Sequence, residues 1–202
     1  MIIIWTTTVF STYLIMFQLK YLRGNIFQNT NSYSISDAFS RIFGGIVYEN
    51  LGLRKSFILA YTIALVGGIC IYFIQCGNAV FEFQRELPIE KLMPVFTMVT
   101  KFGLGAAMLS CYSACYSDDQ IFPLKKRATA IGICNIVARS ITILAPQVNE
   151  LKAPLPMLTF IAIIAVAFIA SFSFIAANEM EQVPLKADSI QKPLPMHQSS
   201  NS

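Results

Sequence analysis

Six stretches of this chain are apolar over roughly the 20 residues a helix needs to cross a bilayer, and only short polar segments separate them. They lie at residues 1–19, 31–48, 56–75, 94–116, 128–148 and 157–177. Lipid offers no partner to a backbone N–H or C=O, so open runs of this length fold there as helices that satisfy themselves. The expected class is therefore an all-α membrane protein, with residues 1–178 forming one six-helix transmembrane domain. Beyond Asn178 the composition turns to Pro, Gln, Ser and Lys, and 179–202 reads as a disordered cytoplasmic tail.

Composition narrows the partners. Hydrophobic residues make up 55% of the chain and charged ones 13%, about half of the roughly 25% usual for a soluble domain. The net charge of +4 is spread over turns and tail, a distribution suited to lipid headgroups. Nucleic acid is not expected as a partner, because that would require a clustered basic face. Met1-Ile-Ile-Ile-Trp5 lacks the basic lead of a cleaved signal peptide. Six spans put both ends of the chain on one side. Seven Lys and Arg, including Arg54, Lys55, Lys125, Lys126 and Arg127, share that side, against five opposite. The positive-inside rule then places both termini in the cytoplasm. The plasma membrane is the expected location.

Four ionisable residues stand inside the spans: Asp37 and Arg41 in the second, Lys101 in the fourth and Arg139 in the fifth. Each costs about 2.5–3.5 kcal/mol at a helix centre, so each is expected to face a protein or water-filled interior. Asp37 and Arg41 are one helical turn apart and can pair on one face. They read either as a self-neutralised pair that lets the span insert or as part of a solute path. Lys101, in the outer third of its span, either snorkels to the surface or joins that path. Arg139 is the strongest path candidate, since it has no acid within helical reach and cannot shed its charge. The hydroxyl-rich first span adds Trp5 and Tyr13. The third and sixth spans carry no charge, look apolar on every face and are expected to be peripheral.

Other chemistry has little support. Cys70, Cys76, Cys111, Cys115 and Cys134 lie in or beside apolar runs without metal-ligand spacing, and the one histidine, His197, is in the tail. Packing is their expected role, with no metal and no cofactor. No base accompanies the span serines and cysteines, so the chain is not expected to be an enzyme. Gly44, Gly45, Gly67, Gly68, Gly103, Gly105 and Gly132 are expected to let helices approach closely, and Pro146 to kink or end the fifth span.

The segment Gly45-x-x-x-Glu49-x-x-Gly52-x-Arg54-Lys55 resembles the signature loop of the major facilitator superfamily, in its copy between helices eight and nine. Phe122-Pro123 through Arg127, Gly132, Asn135 and Arg139 to Ala145-Pro146 is similar to the entry into helix eleven of the organic cation and anion transporter-like branch. Glu181-Gln-Val-Pro184-Leu185 is similar to the exit of that branch. The resemblance covers essentially the whole chain, as helices seven to twelve. One departure is Gln120, where the family has Glu; Asp118 and Asp119 are nearby but out of register.

The resemblance implies one half of a major facilitator fold, built from two inverted three-helix repeats. It implies a transporter, or half of one, that moves small organic solutes by alternating access. A second six-helix half would be supplied by another chain, by a copy of this one or by an absent N-terminal portion. Gly45, Glu49, Gly52, Arg54, Lys55 and Arg127 would form the gating loops. The alternative is a non-transporting membrane partner or truncated remnant of such a transporter.

Overall fold

Long uninterrupted apolar runs, free of proline except at their ends, favour helix throughout, and helix is what forms. The computed structural model describes residues 1–22, 25–76, 89–117, 124–152 and 154–172. Within them lie α1 (Ile2–Gln18), α2 (Ile26–Cys76), α3 (Ile89–Ser117), α4 (Arg127–Thr142) and α5 (Ala145–Asn149), followed by α6 (Leu155–Phe172). A single turn of 3-10 helix, Leu124–Lys126, leads into α4. The descriptions do not extend to the loop holding Asp118, Asp119, Gln120, Phe122 and Pro123, or to the tail with Glu181, Pro184, Leu185 and His197.

Four helical segments are long and apolar enough to cross a membrane: α2, α3, α4 with α5, and α6. At 17 residues, α1 is about 26 Å long, slightly short of a full hydrocarbon core. The second and third expected spans are not separated by a loop. They form one 51-residue helix interrupted at Gly52, whose φ of 74° and ψ of 175° are non-helical. Gly52 is the only described residue with positive φ, a conformation that glycine adopts without a Cβ penalty.

Contacts with α3 show what this interruption does. Along the first arm of α2, residues 26–51, Ser36 donates to the Met98 carbonyl at 2.6 Å, Gly105 abuts Ser40, and Gly44 abuts Ala106. That register rises with α3. Along the second arm, residues 53–76, Ser56 meets Ser110 at 2.7 Å, Gly103 lies against Ala60 and Ala64, and Gly67 against Thr100. That register falls. The two arms therefore run in opposite directions beside α3, and α2 folds back on itself at Gly52. Every buried hydroxyl in these contacts has a partner, as low-dielectric packing requires.

The core sits where α1, the second arm of α2 and α3 meet, around fully buried Trp5, Phe57, Tyr61 and Leu104. Thr8 Oγ1 and Tyr61 Oη are 2.6 Å apart there. Thr7, Thr8 and Thr12 of α1 back-bond to the preceding turn, for example Thr8 to Ile4 at 2.7 Å and Thr12 to Thr8 at 2.8 Å, whereas the buried hydroxyls of Thr6 and Ser11 have no hydrogen-bond partner among the described residues. Phe160 of α6 packs against Gly68, and Asn149 of α5 donates to the Leu14 carbonyl at 3.0 Å.

The second arm of α2 and α6 carry apolar residues on both faces: Phe57, Ala64 and Ile71 on one, and Phe160, Ile164 and Ala167 on the other, are buried, while Val66, Phe73 and Val166 face outward. One expectation needs correction. Gly132 is not a packing glycine, because a Cβ there would meet nothing within 4 Å. The fifth span breaks at Ile143–Leu144, the turn in which Pro146 has no N–H to give to the Thr142 carbonyl, in line with a kink at that proline. Pro146 then occupies the first turn of α5, where its missing N–H is no loss.

Candidate functional site

Helical periodicity brings the ionisable residues together. Val9, Thr12, Tyr13 and Met16 recur at three- and four-residue steps on α1, and Tyr33, Asp37 and Arg41 at four-residue steps on α2. Lys101, Gly105, Met108 and Tyr112 do the same on α3, and Asn135 and Arg139 on α4. All of these faces line one cavity of about 350 Å³. Its walls come from α1, the first arm of α2, α3 and α4. Neither the second arm of α2 nor α6 reaches it.

At the centre is Asp37. Its Oδ1 accepts from Lys101 Nζ at 2.9 Å, and its Oδ2 lies 3.2 Å from Arg41 Nη2 and 3.3 Å from Arg41 Nε. The Lys101 ammonium also sits 4.6 Å from the centre of the Tyr33 ring, whose π face favours a cation. Only 6% of the Lys101 side chain is exposed, against 29% for Asp37 and 64% for Arg41. Lys101 thus does not snorkel to the surface. It turns inward, because a carboxylate and an aromatic face together replace its hydration.

Arg139 lies on the α4 wall of the same cavity and is exposed. It has no hydrogen-bond or ion-pair partner among the described residues. Among the described residues, the cavity thus carries three cations and a single carboxylate. Asn135, one turn before Arg139 on the same wall, donates its amide to the Ile131 carbonyl at 3.1 Å, leaving its carbonyl oxygen as a free acceptor.

The remaining residues singled out by sequence fall in two places. Tyr13 is on the cavity wall. Trp5 is not: its ring is fully buried behind the wall and meets Tyr112 edge-on, with centroids 4.7 Å apart. Such a contact fixes the orientation of Tyr112 and is worth about 0.5–1.5 kcal/mol. The indole Nε1 is buried with no hydrogen-bond partner among the described residues.

The loop residues gather at one end of the bundle. Gly45 packs on Leu109, while Glu49, Gly52, Arg54 and Lys55 are exposed around the fold-back. Arg127 donates to the Tyr116 carbonyl at the end of α3, where a cation complements the helix dipole. The Ser56–Ser110 and Trp5–Tyr112 contacts put the start of α1 at this same end.

Tyr33 was not singled out in the sequence, and Asn135 only within the motif similar to the helix-eleven entry. Both had a signal: Tyr33 is four residues before Asp37 and Asn135 four before Arg139, so extending the charged faces by one turn finds both. Cys111, Cys115 and Cys134 are buried free thiols away from the cavity wall.

The fold and the site together define an all-helical protein with helices of membrane-spanning length and apolarity around a charged cavity. Compared with known proteins, the chain matches no family model and no curated sequence.

Proposed function

We propose that the chain is one half of a secondary transporter of the major facilitator type, moving small organic solutes by alternating access. The carrying observation is Arg139, a cation without a hydrogen-bond or ion-pair partner among the described residues, on the wall of a cavity whose described lining also holds two other cations and one carboxylate. An arginine at membrane depth needs a counter-charge or water, and a solute entering the cavity supplies the former. Four helical segments converge on the cavity, as the resemblance implies, and counting the two arms of α2 separately and α4 with α5 as one gives six apolar helical segments among the described residues.

Glu49, Gly52, Arg54, Lys55 and Arg127 would act as the gating loops in this reading. Their position at one end of the bundle supports a cytoplasmic assignment for that end, with Lys20 and Lys152 on the opposite side. A second helical half would cover the mouth where Arg41 and Arg139 are exposed. The plasma membrane would be the site of action.

One observation favours a second reading, a non-transporting membrane partner. On α4, Ile133, Ile136 and Ile141 are exposed on the same short helix as Arg139, an arrangement that another membrane protein would cover. Reconstitution into liposomes separates the two. Uptake of at least one solute from a panel of labelled organic anions and cations, reduced by Arg139→Gln, supports transport. A monomer in detergent with no flux of any panel member favours the partner role.

A further inference from the structure

We propose that the chain binds an alkali-metal cation between the end of α1 and α5, with the side-chain carbonyl oxygens of Gln18 and Asn149 as ligands. The site lies outside the charged cavity, and the proposal is independent of what that cavity carries.

Two buried acceptors without donors mark the place. Gln18 is the last residue of α1 and Asn149 the last of α5. Their relative exposures are only 3% and 4%. Neither Gln18 Oε1 nor Asn149 Oδ1 has a hydrogen-bond partner among the described residues, although a buried carbonyl oxygen normally finds one. The two amides belong to one spot. Asn149 Nδ2 donates to the Leu14 carbonyl at 3.0 Å. That same carbonyl is the acceptor for the Gln18 backbone N–H in the helical pattern of α1. Two bonds to one oxygen put the Asn149 amide nitrogen within about 6 Å of the Gln18 backbone nitrogen.

The end of α1 adds negative potential. Leu19 donates to the Ile15 carbonyl, and Tyr21 and Leu22 donate to that of Gln18, but the carbonyls of Met16 and Phe17 receive no backbone N–H among the described residues. Such open carbonyls carry the negative end of the helix dipole and favour a cation. No basic residue in the last turn of α1 or α5 answers it. Lys20, just beyond, is exposed, and its ammonium lies 5.6 Å from the centre of the Tyr21 ring. The chemistry of the ligands then selects the ion. Amide and backbone carbonyls are hard, neutral oxygens. Softer metals take thiolate or imidazole, and calcium sites are built largely from carboxylates. Gln18 and Asn149 supply neither, and a monovalent cation is what they suit.

The test is equilibrium binding of radiolabelled sodium to the purified full chain in lipid nanodiscs, competed with sodium, potassium or N-methylglucamine chloride at constant ionic strength. Wild type is expected to bind sodium saturably and to release it to unlabelled sodium but not to N-methylglucamine. Displacement by potassium identifies a site for both ions, and its failure a sodium site. Gln18→Met and Asn149→Leu are each expected to weaken binding at least about tenfold, the least that losing even an outer partner of a bound metal costs. Gln147→Met, at an exposed position of α5, is expected to leave it unchanged. Gln18→Glu keeps the oxygens, adds a charge and is expected to tighten binding, so the site remains testable if the apolar variants do not fold. No saturable sodium binding by wild type overturns the proposal, as does binding that all of the Gln18 and Asn149 variants leave unchanged. Either result leaves the reading of the charged cavity intact.

Discussion

Lys101 Nζ on α3 and Asp37 Oδ1 on α2 are 2.9 Å apart, and this ion pair crosses between two helices while Arg41 holds the other carboxylate oxygen from within α2. The pair ties the polar wall of the cavity to the helix packing beside it. Replacing Lys101 with Met leaves Asp37 with Arg41 alone and should destabilise the fold by about 3 kcal/mol, the lower end for breaking a buried pair because Asp37 is partly solvated. Asp37→Asn in the same background should add little, since the two changes remove one interaction. Unfolding of the two single variants and the double variant in detergent measures the coupling; additive losses would mean that the pair contributes nothing.

Close packing beside that pair depends on Gly105. A Cβ at this position would collide with Ser40 Oγ, so Gly105→Ala must push α3 from the first arm of α2. The expected loss is about 1–3 kcal/mol, with partial recovery in the Gly105→Ala, Ser40→Ala double variant. Gly132→Ala is the matched control. Open space surrounds it, and alanine's better helix propensity should stabilise α4 by up to about 1 kcal/mol. The same detergent unfolding reads both.

The fold-back of α2 rests on one backbone conformation. Gly52→Ala forces an L side chain into φ 74°, ψ 175°, a region essentially confined to glycine, with an expected loss of about 1–3 kcal/mol. Asn tolerates the left-handed helical region but not this one, so Gly52→Asn should be no milder than Gly52→Ala. Equal stability of Gly52→Ala and wild type would mean that the turn adopts another geometry.

How far the sequence carried this picture follows from what each residue's environment depends on. Asp37 and Arg41 were readable as a pair because four-residue spacing is local. Gly52 was readable as a turn because glycine between two apolar runs marks one. The lining role of the first, second, fourth and fifth apolar runs followed from where charge is tolerable in lipid. Lys101 was legible only as a charge near a span end. That it turns inward depends on α3 lying beside Tyr33 and Asp37, which is tertiary. Trp5 shows the reverse error: its amphipathic ring suited a cavity wall, but its burial is set by Tyr112 and the packing of α1. The break before Pro146 is local and was readable from the proline, whereas the open space at Gly132 depends on neighbours distant in sequence.

Arg139 separates stability from function. It is exposed and makes no described ion pair, so Arg139→Gln should alter stability by no more than about 0.5 kcal/mol. Solute uptake, in an assembly shown to transport, should nevertheless fall at least about tenfold, corresponding to one lost charge contact of roughly 1.4 kcal/mol in the path. Unchanged uptake of every transported solute would remove Arg139 from the path.

The central claim is that a charged, solute-accessible cavity exists within the membrane-embedded bundle. The most direct measurement is labelling by a membrane-impermeant thiol reagent, in intact proteoliposomes, of single cysteines placed in a background without the five native ones. Asn135→Cys, on the cavity wall, should react from an aqueous side. Val166→Cys, on the outward face of α6 and 55% exposed in the isolated chain, should not, because lipid covers it. Equal protection of both positions, or reaction at 166 and not at 135, would contradict the account.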